Sequence, residues 1–141
     1  MVVKFRLWDG DNKLLGYEIL RDNSWHYSFD GLTEWFQGFK YLNAIRGRSL
    51  FTGSVDRNGK EVYADDIVDW GYWDTEEGKG AGERAVVEYD VEKGAFVVNF
   101  YSKWGGEGCD YLHAFKASLE DNCTFVVIGN IRQNPELSTI R

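Results

Sequence analysis

The sequence predicts a mostly β chain, folded as a small barrel or sandwich, and three observations carry that prediction. Aromatic residues make up 16% of the 141 residues, and rings and β-branched side chains suit a pleated, half-buried surface. Apolar residues recur at period two in many short runs, which puts alternate side chains on one face of a strand. Breaks rich in Gly, Asn and Asp separate these runs every eight to twelve residues or so, as in all-β sandwiches and barrels.

The elements follow in order. Val3, Phe5 and Leu7 alternate with Lys4 and Arg6 as a first strand, and Asp9-Gly10-Asp11-Asn12 turns the chain because these residues tolerate left-handed backbone. Residues 14–20 read as the returning strand, and Trp25, Tyr27 and Phe29 give a third strand with an aromatic face. Over 32–42, Leu32, Trp35, Phe36 and Phe39 fall at helical spacing but Gly38 interrupts, leaving a short helix or an irregular aromatic segment open. A break is expected at 47–49. Asn58-Gly59 predicts a two-residue type I′ turn joining strands near 50–55 and 60–63, since Asn then Gly accepts two positive φ angles at least cost.

A strand at 67–70 leads into 71–83, where four glycines and four acids predict a long, polar, flexible loop. Residues 84–91 and 95–101 form a hairpin about Glu92-Lys93-Gly94, and Gly105 to Gly108 reads as a second mobile stretch. Leu112, Phe115 and Leu119 suit one or two helical turns, with a loop and short strand as the alternative. The apolar run 124–128 predicts a strand buried on both faces. The whole reads as one domain, 1–141.

Net charge is −7 with a pI near 4.8, a field that repels phosphate and anionic lipid and speaks against nucleic-acid and membrane-surface partners. Lys40, Arg46 and Arg48 come nearest to a basic cluster and read as solvated loop side chains. A hydrophobic share of 43% excludes disorder. No run has the length of a signal peptide or a membrane span, so the expectation is a cytoplasmic protein whose Cys109 and Cys123 are reduced thiols. Asn122-Cys123-Thr124 matches a glycosylation acceptor that has no chemistry without secretion.

Candidate chemistry is sparse. Glu61, Asp65 and Asp66 place three carboxylates within six residues, enough in principle for a magnesium site or an acid–base pair. Strand alternation sends Asp65 and Asp66 to opposite faces, so they read as solvated acids. Cys109, His113 and Cys123, even with His26, lack the close cysteine pair of a structural zinc site and the orienting group of a thiol nucleophile. Gly78-Lys79-Gly80-Ala81-Gly82 leads into a strand and lacks a Ser or Thr beside its Lys, unlike a phosphate loop. No catalytic, cofactor or metal residue is expected. The aromatic surplus is different: Trp25, Tyr27, Trp35, Phe36, Phe39, Tyr41, Trp70, Tyr72, Trp73 and Trp104 exceed what one small core needs. Exposed rings are favoured at protein interfaces.

Three stretches carry a family resemblance. Lys4-Phe5-Arg6-Leu7-Trp8-Asp9, the block from Phe51-Thr52-Gly53 through Asn58-Gly59-Lys60-Glu61-Val62-Tyr63 to Asp66-Ile67-Val68, and Val127-Ile128-Gly129-Asn130-Ile131 with Asn134-Pro135-Glu136-Leu137 resemble, in order, motifs of the YopX-like proteins of bacteriophages and prophages. Residues 84–89 and 94–98 sit where that family has a hairpin. The aromatic segment 25–41 and the acidic loop 71–83 match none of its motifs. The resemblance implies a mostly β protein, divided into an aromatic N-terminal β part at 1–48 and an SH3-like barrel part at 49–141, that forms higher homo-oligomers, but no particular biochemical activity.

The expected function is therefore a non-enzymatic phage or prophage accessory protein without cofactors. It would be a homo-oligomer that binds itself and a host or phage protein through Trp25, Tyr27, Trp35, Phe36, Phe39, Trp70, Tyr72 and Trp73. Nucleic-acid binding through the barrel is the alternative, supported by the phage setting and opposed by the charge. A carboxylate- or metal-dependent enzyme comes last.

Overall fold

A computed structural model describes residues 2–74, 79, 80, 83–102, 106–119 and 123–138. The chain is mostly β, built on two antiparallel sheets, and divides into two compact units, Met1–Ser54 and Val55–Arg141.

The first unit contains β1 (Lys4–Trp8), β2 (Leu14–Arg21), β3 (Ser24–Ser28) and β4 (Gly47–Val55). Its strands lie in the order β3-β2-β1-β4, each antiparallel to its neighbour. The turn after β1 forms as expected: Asn12 has φ 58°, and one Asp9 carboxylate oxygen accepts the backbone N–H groups of Asp11 and Lys13. The tight hairpin of this unit lies at Asp22-Asn23, where φ values of 49° and 64° and the Arg21–Ser24 pairing meet the type I′ requirement. The break expected at 47–49 is instead strand, because Gly47, Arg48 and Ser49 pair with Trp8, Leu7 and Arg6 of β1. A lone Gly does not stop a strand whose partner edge is available.

One sheet face buries Trp8, whose indole N–H donates to the Ser49 hydroxyl at 2.9 Å. Lys4 lies on the same face and is only 6% exposed. Its ammonium donates to the Gly31 carbonyl at 3.3 Å and lies 5.5–5.9 Å from the ring centres of Tyr17, Trp35 and Phe51. Ring quadrupoles and a carbonyl thus replace part of the water that a buried ammonium loses. The segment 32–42 takes the irregular form: Phe36 makes two backbone hydrogen bonds to Tyr27 on the outer edge of β3, and a short 3-10 turn follows at Leu42–Ala44.

The second unit contains β5 (Glu61–Tyr63), β6 (Asp66–Asp74), β7 (Lys79–Gly80), β8 (Glu83–Asp90), β9 (Ala95–Ser102), β10 (Gly106–Tyr111), α1 (Leu112–Ser118), β11 (Cys123–Asn130) and a 3-10 turn at Pro135–Ser138. Strands run β10-β9-β8-β6-β11, with β7 paired to β6. Val62, Val68, Val87, Val98, Leu112, Phe115 and Phe125 form its core. Phe115 brings α1 onto the sheet, tilted against Phe125 and Phe100.

Four expectations are corrected here. The turn at 56–60 is present but is not type I′: Gly59 has φ 81°, whereas Asn58 is not among the positive-φ residues. Asp56 decides this. One of its carboxylate oxygens accepts the N–H groups of Asn58 and Lys60, and the other accepts that of Val127, which pulls the chain into a wider turn docked on β11. The expected 71–83 loop is partly strand, since β6 continues to Asp74 and pairs with Lys79 and Gly80 of β7; residues 75–78, 81 and 82 lie outside the described residues. The stretch expected to be mobile at 105–108 is strand from Gly106 onward, paired with β9, and residue 105 is not described. Finally, β11 alternates rather than being buried on both faces: Phe125 and Val127 point inward, whereas Ile128 is 37% exposed beside a register shift.

Candidate functional site

The three clustered carboxylates are each engaged by their own unit. Asp66 is fully buried and accepts the Tyr63 N–H at 2.8 Å. Asp65, at φ 77°, accepts from the Arg132 guanidinium at 3.2 Å, and its carbonyl accepts the Ile131 N–H. Glu61 accepts the Tyr63 hydroxyl at 3.2 Å. Asp65 holds the β5–β6 turn to the chain after β11, and Asp66 closes the turn on Tyr63, structural duties for both. Cys109 is exposed and Cys123 buried. His113 packs near Tyr111, and the His26 ring nitrogen Nδ1 lies 3.3 Å from the Ser24 carbonyl. Among the described residues no three His, Cys, Asp or Glu side chains come together as a metal-ligand set. Of the glycine-rich stretch 78–82, only Lys79 and Gly80 are described, and both are strand.

The aromatic side chains are where the first unit departs from a closed core. Trp25 is 40% exposed and Phe36 49%. Phe29 and Tyr41, which are also exposed, join them. Phe39 ties three of the rings together, stacking on Tyr27 at 5.4 Å and meeting Phe29 and Tyr41 at 5.5 and 5.7 Å, whereas Trp25 packs on Phe5. It fits there because Gly16 has no side chain; a Cβ at that position would lie 2.6 Å from the Ser28 carbonyl and 3.2 Å from the Phe39 ring. Tyr27, Phe29, Phe36 and Phe39 line an apolar cleft of about 270 Å³ beside Lys40. Trp35 is occupied within the unit, its ring flanked by Lys4 and Arg21.

Trp70 belongs to the second unit, set edge-on against Phe100 and Phe115 at 5.7 and 5.0 Å. Its indole N–H is buried and has no hydrogen-bond acceptor among the described residues. Tyr72 and Trp73 lie on β6, but their side chains, like all of Trp104, lie outside what is described. The candidate ring set is therefore split between the two units.

Sequence reasoning missed Glu18 and Arg48. Glu18 lies on β2, opposite Phe5 and Tyr27, and its side chain is 4% exposed. Arg48, expected as a solvated loop residue, is on β4 and donates through Nε to the Glu18 carboxylate at 2.5 Å. Burial pushes the pKa of the Tyr27 phenol up, with the Glu18 charge adding to the shift and Arg48 opposing it. With Val3, Phe5 and Trp25 these groups line an open cleft of about 480 Å³. The only signal in the sequence was a Glu at an inward position of an otherwise apolar strand.

Fold and surface together define a class: a mostly antiparallel β protein that, among the described residues, carries half-open rings on and around β3. The chain belongs to the YopX protein family, whose model matches residues 4–138, nearly the whole chain. No curated protein matches it. Among the described residues no helix is long and apolar enough to cross a membrane.

Proposed function

We propose that this YopX-family protein is a non-enzymatic accessory protein of bacteriophages and prophages. It acts in the host cytoplasm as a homo-oligomeric module that binds another protein. The observation that carries the reading is the exposed ring group of the first unit, Trp25, Phe29, Phe36 and Tyr41. Large rings are disfavoured in water, and aromatic side chains are enriched at protein interfaces. Self-association covers such a group without a second gene product, and the net charge of −7 favours protein over phosphate as the further partner. The later half takes an SH3-like arrangement in this reading.

The test is particle mass by native mass spectrometry or light scattering. The expected mass is at least twice the 16.2 kDa of one chain in the native protein, reduced to that of one chain in the double variant Trp25→Ala, Phe36→Ala. A native mass of one chain, or an assembly indifferent to both substitutions, overturns the reading.

A further inference from the structure

We propose that the cleft between β2, β3 and β4 of the first unit binds an aromatic carboxylate: a planar ring with an acid group a few bonds away. The site shares Trp25 with the self-association reading but rests on the Glu18–Arg48 pair, an otherwise costly arrangement. Glu18 is a carboxylate on an apolar sheet face with its side chain 4% exposed. A buried charge persists only when paired and hydrogen-bonded, and Arg48 Nε supplies that pairing.

The consequence falls on Arg48. A guanidinium carries five N–H donors in a rigid fork. Glu18 takes the one on Nε, and the two terminal nitrogens have no other partner among the described residues. The side chain remains 47% exposed, so an anchored guanidinium offers its end-on fork to the cleft. That fork matches the two oxygens of a carboxylate, whose bidentate pairing with Arg is directional as well as strong. Glu18 balances the resident charge, so recognition depends on the short-range fork and not on a broad positive field. The acidic remainder of the chain acts weakly across about a Debye length, ~8 Å in physiological salt.

The opposite wall supplies the ring contact. Trp25 is 40% exposed and tilts against Phe5 at 6.2 Å between centres, leaving indole surface for an offset stack. The volume of about 480 Å³ lies within the range of small-ligand sites. Ring and acid can come from a free aromatic acid or from a protein chain ending in an aromatic residue.

The experiment titrates the full chain, followed by two-dimensional NMR with the Trp25 indole signal assigned through Trp25→Phe. The probes are indole-3-acetate, its primary amide, and a short peptide ending in Trp with a free or amidated terminus. Saturable binding of the acid or of the free-terminus peptide, at a Kd of about 1 mM or tighter, is expected, with each amide at least about tenfold weaker. Whichever of the two binds names the source. Arg48→Lys keeps a cation beside Glu18, so the fold is retained, but removes the fork; it should weaken binding about tenfold. Absence of shifts with both acids, equal binding of acid and amide, or an unchanged Kd in a folded Arg48→Lys protein overturns the proposal. Particle mass measured in the same samples keeps this outcome separate from the assembly reading.

Discussion

At the scale of single residues, several polar side chains organise backbone instead of offering chemistry. Asp30 is the clearest. Its carboxylate accepts the N–H groups of Leu32 and Thr33 and the hydroxyls of Thr33 and Ser28. The Leu32 N–H is the largest of the causes that hold the Asp30 carboxyl far below its ordinary pKa of 3.8. The folded state therefore binds this proton less readily than the unfolded chain, and Asp30 stabilises the fold at pH values above about 4. The contribution falls away as pH drops from there through the folded value. Thermal melts should show Asp30→Ala below the native protein at pH 7, with the gap narrowing as pH falls below about 4. Gly16→Ala should lower stability and loosen Phe39, because the added methyl meets the Ser28 carbonyl at 2.6 Å. A shift of the Phe39 and Tyr27 ring resonances would register it.

At the scale of elements, the turn between β4 and β5 depends on β11, seventy residues further along. Asp56 is 5% exposed and bonds Asn58, Lys60 and Val127, while the Arg57 N–H donates to the Phe125 carbonyl. Removing a buried carboxylate that satisfies three N–H groups leaves orphaned donors, each costing about 1–3 kcal/mol. Asp56→Ala should therefore destabilise by about 3 kcal/mol or more in chemical denaturation. Asn58→Ala, which keeps the backbone donor, should cost well under half of that. The same dependence explains the misjudged turn type. Asn-Gly favours type I′ locally, but three N–H groups converging on Asp56 select another geometry, and the type I′ hairpin falls at Asp22-Asn23. Strand identity was legible from alternation in β1, β2, β3, β8 and β9. The strand character of Gly47–Ser49 and Gly106–Gly108 was not, because glycine carries no pattern and the partner strand alone decides it.

At the scale of the whole molecule, the later unit has the deeper apolar core. Phe125, 1% exposed and in contact with Phe115, should cost about 3–5 kcal/mol when replaced by Ala. Amide exchange should be slowest at Val68, Val87 and Val98, the fully buried centre of the sheet, because those amides open only with global unfolding. The two thiols should separate cleanly: Cys109 labels in the native protein and Cys123, 6% exposed, only on unfolding. Equal labelling rates would contradict the placement of β11.

Alternation of apolar residues and the placement of turn formers determined, from sequence alone, that the chain is mostly β, where most strands run, and which family it resembles; these are local properties set by backbone sterics and side-chain period. The candidate ring set was readable only as a surplus. Which rings open to solvent and which are enclosed was decided by packing, as Trp35 shows with Lys4 and Arg21 on its faces. The Glu18–Arg48 pair was decided wholly by tertiary structure. Thirty residues separate its members, and only the β2-β1-β4 order brings a buried carboxylate and a half-open guanidinium into one cleft, since strand pairing joins residues by register and not by distance along the chain.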